Sequence, residues 1–236
     1  MHSTIIIMGS NGNLGSALVR LLAKNHSIIG IDKHKASTHS NIQYLSCNLA
    51  APQHINKTLQ LIPVLPHQKI TLISTAGIFG EPSFESDIFH DEAFCESIDV
   101  NLLGPCRLIS HLAARVLKTQ ASPKLKIIVV GSTGAHVGSL DLGYGVAKAG
   151  LNGFVRSISK ALAPRGIICI GINPGIFESS MSRSVSQKRQ KRAIDATHIK
   201  RIGQLEEVSQ FIAHLALDAP DYLTGSIIQM NGGQYA

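Results

Sequence analysis

The chain has 236 residues, 44% of them apolar and 16% charged, with a formal charge of +7. That length and balance fit one α/β domain with a sizeable core and exclude a disordered chain. No apolar run approaches the roughly 18 residues of a membrane span, and the opening run Thr4-Ile5-Ile6-Ile7-Met8 lacks the basic flank and cleavage site of a signal peptide.

Apolar runs alternate with longer amphipathic segments from end to end. The pattern predicts strands near 4–8, 27–31, 42–45, 70–75, 126–130, 167–172 and 226–230. Helices are expected near 13–24, 53–61, 92–117, 143–163 and 206–217. Near-continuous runs such as Ile5-Ile6-Ile7 and Ile127-Ile128-Val129-Val130 suit strands buried on both faces of a parallel sheet. The expected fold is therefore a doubly wound, Rossmann-type α/β sheet of about seven parallel strands with helices on both faces. Ligands bind outside the carboxyl ends of such strands. Without a repeat, linker or low-complexity tract, 1–236 reads as a single domain.

Gly9-Ser10-Asn11-Gly12-Asn13-Leu14-Gly15 sits between the first strand and the first helix, where a dinucleotide turn belongs. Glycines there permit a tight turn and close approach to a pyrophosphate, and the helix start offers free N–H groups. Asp32 ends the second strand, where a carboxylate binds adenosine ribose hydroxyls and repels a 2′-phosphate. NAD is favoured on that ground, with NADP open because Lys33, His34 and Lys35 offset the repulsion.

Further on, the buried run 127–130 ends at Gly131-Ser132, and a helix follows that carries Tyr144 and Lys148. Four residues apart, these two share a helix face. An ammonium beside a phenol favours the phenolate, and a tyrosine so tuned can give and retake a proton. Taken alone, Tyr-x-x-x-Lys equally fits an ordinary amphipathic helix.

Between Ser182 and Ile202 stand seven cationic residues, Lys188, Arg189, Lys191 and Arg192 among them, against Asp195 alone. No aromatics interleave them, which argues against a nucleic-acid surface. A solvated helix face and an anion-recognition role both fit. Cys47, Cys95, Cys106 and Cys169 are scattered, without Cys-x-x-Cys or a neighbouring His cluster. Reduced thiols of a cytoplasmic protein, and no metal site, are expected.

With these motifs in order, the chain resembles the short-chain dehydrogenase/reductase family along nearly its whole length, and within it the 3-oxoacyl-(acyl carrier protein) reductases. Thr75-Ala76-Gly77 is similar to the family's Asn-Ala-Gly turn, and Asn101 stands at the place of its helix asparagine. Ser132 precedes Tyr144 by the family spacing, and Asn173-Pro174-Gly175-Ile176-Phe177-Glu178-Ser179 matches its Pro-Gly segment. The resemblance implies Tyr144 as general acid/base, Lys148 lowering its pKa and holding the nicotinamide ribose, Ser132 binding the substrate oxygen, and Asn101 holding a water that links Lys148 to solvent. It implies cofactor contacts from Gly9, Asn11, Gly12, Asn13, Leu14, Gly15, Asp32, Asn48, Leu49, Ala76, Gly77, Tyr144, Lys148, Pro174, Gly175, Phe177 and Ser179.

Three positions depart from the family pattern: Asn13 replaces a glycine, Asn48 an aspartate that contacts adenine, and Ser179 a threonine. By the same resemblance, about 177–202 forms a lid over the substrate, with His136, Leu140, Leu142 and Phe177 lining the pocket. The expected activity is NAD(P)-dependent interconversion of a carbonyl and a secondary alcohol. The substrate is a small molecule, anionic or carrier-bound, and the chain pairs as a homodimer or homotetramer, with no nucleic-acid or membrane partner. A non-catalytic NAD(P)-binding sensor or scaffold on the same fold is the alternative.

Overall fold

A computed structural model describes residues 3–34, 42–80, 84–85, 88–119, 124–184 and 186–235. Lys35 of the basic run after Asp32 lies outside them, as do Val185 of the segment expected as a lid and both chain ends. Seven strands form one wholly parallel sheet: β1 (Ser3–Met8), β2 (Ser27–Asp32), β3 (Ile42–Ser46), β4 (Lys69–Ser74), β7 (Lys124–Val130), β8 (Ile167–Pro174) and β9 (Ile227–Met230). A two-stranded hairpin, β5 (Phe84–Glu85) and β6 (Ile88–Phe89), stands apart from it.

The strand order is β3-β2-β1-β4-β7-β8-β9. Its direction of winding reverses between β1 and β4, which opens a crevice at their carboxyl ends. Successive side chains of a strand point to opposite faces. Accordingly Ile6 and Met8 enter one core while Ile5 and Ile7 enter the other, all fully buried. Helices α2 (Pro52–Leu61), α4 (Gly104–Lys118) and α6 (Leu142–Leu162) cover the first face. Helices α1 (Asn13–Leu22) and α9 (Leu205–Leu217) cover the second. Each fully buried isoleucine contributes about 1.5–3 kcal/mol, so a polar residue in β1 after Thr4 would be costly.

The helix expected over 92–117 is interrupted. It runs as α3 (Asp91–Ile98), a π-helical turn (Asp99–Leu103) and then α4. Pro105 has no N–H to return to the carbonyl of Asn101, so the α-helical ladder cannot continue there. The Gly104 N–H instead reaches back five residues to Asp99. Gly104 also lies against Leu49, whose carbonyl oxygen would be 2.5 Å from an added Cβ.

The basic segment holds two helices that no apolar period announced, α7 (Ser180–Ser184) and α8 (Gln187–Ala196). A short helix, α5 (Gly134–Val137), follows β7. Among the described residues no helix is long and apolar enough to cross a membrane.

Candidate active site

The turn after β1 is built for close approach. Gly9 has φ +84, and a Cβ on it would lie 2.7 Å from the main chain of Ala76. A Cβ on Gly15 would lie 2.0 Å from the Gly9 carbonyl oxygen. The next strand braces the turn, since the Thr75 N–H and hydroxyl both donate to the Met8 carbonyl, at 2.8 and 2.9 Å. Helix α1 begins after Gly12 with no side chain capping it, so the first-turn N–H groups remain available to an anion. These features fit a diphosphate cradle. Beside it, one oxygen of Asp32 accepts the Asn11 N–H at 2.9 Å, leaving the other for a ribose hydroxyl.

The structure places Asn48 and Leu49, expected on the adenine side, less openly. Asn48 folds onto its own main chain, accepting the Ala50 N–H at 3.1 Å. Leu49 is a core residue, packed with the α2 and α4 side chains.

At the carboxyl end of β7, Ser132 and Tyr144 share a hydrogen bond. The Ser132 Oγ also accepts the Gly134 N–H at 3.1 Å. Lys148 is buried, donates to the Val130 carbonyl at 3.2 Å, and its Nζ stands 5.5 Å from the Tyr144 ring centroid. Gly77 completes the corner: an added Cβ would meet Asn101 Oδ1 at 2.8 Å and Lys148 Nζ at 3.5 Å. Asn101, Ser132, Tyr144, Lys148 and the turn 76–77 are therefore neighbours.

The electrostatics differ from the simple pairing of a lysine with a tyrosine. Burial holds the Tyr144 phenol above its ordinary value; the Ser132 hydrogen bond lowers it and nearby Asp141 raises it further. Desolvation also brings Lys148 down, to about 8. Both groups lose water, and that cost to their charged forms outweighs the effect of an ammonium one helical turn away. Asn101 differs as well. Its Oδ1 accepts the Ile78 N–H at 2.8 Å, while its Nδ2 donates to the Ile78 carbonyl at 3.0 Å and to Ser97 at 2.9 Å. The amide side chain is a clamp on the turn after β4.

Pro174 and Gly175 close the far wall, with the Gly175 N–H bonded to the Met230 carbonyl at 2.9 Å. Phe177 forms an isolated parallel bridge with Gly203, which ties the two ends of the excursion 177–202 together. The Ser179 hydroxyl is engaged within its own turn, accepting the Ser182 N–H at 3.0 Å. Leu140 and Leu142 are exposed. His136 faces inward, with its Nε2 at 3.0 Å from Asn173 Nδ2 and its ring stacked on Tyr235.

Against this geometry, residues 17–234 match the protein-family model described as Enoyl-(Acyl carrier protein) reductase. The chain belongs to the short-chain dehydrogenase/reductase family. It is 29% identical to 3-oxoacyl-(acyl-carrier-protein) reductase FabG of Buchnera aphidicola, over 98% of this chain and 96% of that protein. It is 27% identical to the FabG of Escherichia coli over the same shares. A short chain dehydrogenase family protein from Francisella tularensis shares the fold at a TM-score of 0.85 and 21% identity, covering 99% of both chains. The 3-ketoacyl-(acyl-carrier-protein) reductase from Brucella melitensis, solved complexed with NADH, does so at 0.84 and 18%, covering 98% of both. As a member of this family the protein is an NAD(P)-dependent oxidoreductase acting on carbonyl and alcohol groups, and the non-catalytic reading finds no support.

Two residues that brace this site were not among the site residues expected from the sequence. Asp141 caps α6 through the Tyr144 N–H and also accepts the Gly80 N–H, each at 2.9 Å. It thereby ties the tyrosine to the loop after β4, and an Asp just before a helix was the available signal. Asn173, fully buried, accepts the Ser132 N–H at 3.1 Å and so fixes the serine's backbone. Nothing in the sequence marks that contact.

Proposed function

We propose that the protein interconverts a carbonyl and a secondary alcohol with Tyr144 as general acid/base, Ser132 binding the substrate oxygen and Lys148 binding the nicotinamide ribose. The observation that carries this reading is the Ser132–Tyr144 hydrogen bond beside buried Lys148, at the strand ends that also carry the glycine cradle. Ser132 and Tyr144 together present two hydroxyls to one oxygen, where negative charge develops during reduction. Tyr144 delivers the proton there and regains it through Lys148. With a pKa of about 8, Lys148 carries its charge at neutral pH and favours the phenolate once the proton has left. A bound nicotinamide supplies or accepts the hydride. Asn101 contributes by holding the turn 76–78 rather than by an open amide.

Cofactor contacts are assigned to Gly9, Asn11, Gly12, Asn13, Leu14, Gly15, Asp32, Ala76, Gly77, Pro174, Gly175, Phe177 and Ser179, with Asn48 and Leu49 on the adenine side. Asp32 favours NAD over NADP. The whole chain, 1–236, acts as one domain in the cytoplasm, as a homodimer or homotetramer, with 177–202 as the substrate lid.

The substrate class follows the curated relatives, named as 3-oxoacyl-(acyl-carrier-protein) reductases. A 3-oxoacyl thioester on an acidic carrier suits α8, whose Lys188, Arg189, Lys191 and Arg192 form no ion pair among the described residues. Such a patch steers anions to the cleft and is sensitive to salt. The reading is tested by titrating NADH and NADPH into wild type and Asp32→Ala, then assaying carrier-bound and free 3-oxoacyl thioesters. Preference for NADH that disappears without Asp32, and turnover that reversing the four α8 charges slows at low salt, are expected. Equal affinity for both cofactors in wild type would end the NAD assignment.

A further inference from the structure

Asn13 is the position where this chain departs from the family's glycine turn, and the structure gives its side chain a task. Asn13 is the first residue of α1, at the mouth of the diphosphate cradle. Its Oδ1 accepts two hydrogen bonds from Ser180, the N–H at 2.8 Å and the hydroxyl at 2.7 Å, across 167 residues of sequence. Ser180 is the first residue of α7, where the lid leaves the sheet. A glycine at position 13 has no atom to offer there.

We infer that Asn13 is a positioning residue that latches the lid onto the dinucleotide turn, so that cofactor release requires the Asn13–Ser180 contact to break. This rests on the reading of the turn as a cofactor cradle.

The lid is held at two levels. Its base is zipped by the Gly203 N–H to Ile176 and the Glu178 N–H to Gly203, at 2.9 and 3.0 Å. The end of α8 is pinned by the His198 N–H to the Gly232 carbonyl at 2.8 Å. These bonds fix where the excursion 177–202 begins and ends, and none of them reaches the glycine turn. The Asn13–Ser180 pair does so, in an exposed position where water competes for both partners. An exposed neutral pair is worth little in net terms and is readily broken. That combination, bridging yet weak, belongs to a contact that opens and closes rather than to a permanent tie. With the lid strapped to α1, a dinucleotide held between Asp32 and Pro174 would have to pass the strap to leave. Breaking it frees the exit without disturbing the cradle itself.

The test is the dissociation rate of NADH, followed by stopped-flow displacement in wild type, Asn13→Gly, Ser180→Ala and the double variant. Asn13→Gly loses both hydrogen bonds and is expected to release NADH about five- to thirtyfold faster; Ser180→Ala loses one, for about fivefold. In the Asn13→Gly background, Ser180→Ala changes nothing further. Because release commonly limits turnover in such enzymes, kcat and KM for NADH are expected to rise together in Asn13→Gly. A defect in chemistry lowers kcat instead. Asn13→Asp retains the acceptor and should keep slow lid opening, read by amide hydrogen exchange at Ser180.

Equal effects of Ser180→Ala in both backgrounds, or an unchanged rate in Asn13→Gly, overturn the latch. If wild type binds neither NADH nor NADPH, the functional reading fails separately, and exchange at Ser180 decides the latch alone. Faster exchange in Asn13→Gly than in wild type retains it, and equal exchange ends it.

Discussion

Replacing Asn101 with alanine separates a structural clamp from an open catalytic amide. The side chain is fully buried and makes three hydrogen bonds, two to the Ile78 main chain and one to Ser97. Each neutral bond contributes about 1 kcal/mol net, and abandoned buried partners add a further penalty unless water replaces the amide. A loss of about 3 kcal/mol follows, equivalent to a fall in Tm of about 6–12 °C for a chain of this size. Ser97→Ala removes one of the three bonds and should cost about 1 kcal/mol. Urea denaturation gives both values, and hydrogen exchange locates the damage at residues 76–78. Turnover in Asn101→Ala should fall because the turn at Gly77, which lies against both Asn101 and Lys148, loses its clamp. A stability loss below about 1 kcal/mol with abolished turnover would refute the clamp.

In Gly15→Ala, the new Cβ meets the Gly9 carbonyl at 2.0 Å, so the turn must move by about 1.5 Å to reach normal contact. NADH affinity in a fluorescence titration should drop at least tenfold, with roughly 1–3 kcal/mol of stability lost. Lys148 titrates near 8 in the folded chain and near 10.5 unfolded, so between these values the unfolded chain holds the extra proton. Stability of wild type relative to Lys148→Met therefore rises across that window, by up to about 3 kcal/mol, measured as the difference in urea midpoints at pH 7.5 and 10. Glu207 gives a slope of the same sign in the acid range, here because its charged form is stabilised. Bidentate contact with Arg201 and the Gln204 N–H hold it down near 2, so its contribution is present above about 4.5 and is lost as pH falls toward 2. Glu207→Gln should flatten that acid limb of the stability profile.

The sheet was legible because strands covered on both faces leave unbroken Ile and Val runs, and the order of motifs placed the turns at the strand ends. The π-helical turn was not read, although Gly104-Pro105 inside a helical stretch marks it. Helix α8 was open only as a solvated helix face, one of two readings, because Gln187-Lys188-Arg189-Gln190-Lys191-Arg192 offers no apolar face that would mark its bounds. Tyr144 and Lys148 were singled out by spacing. Spacing cannot show that both are desolvated, and so it gave the wrong sign for the phenol in this structure. Asn13 stood out as a departure, but its partner lies on a loop 167 residues away, a contact that no local pattern encodes.

Everything proposed for the site turns on Tyr144 moving the proton. The direct measurement compares wild type and Tyr144→Phe for NADH binding and for NADH oxidation against a 3-oxoacyl thioester. Phenylalanine keeps the edge-on contact with Phe79 and removes only the hydroxyl. Unchanged NADH affinity with turnover reduced about 10²–10⁴-fold is expected. Turnover within a fewfold of wild type would contradict it.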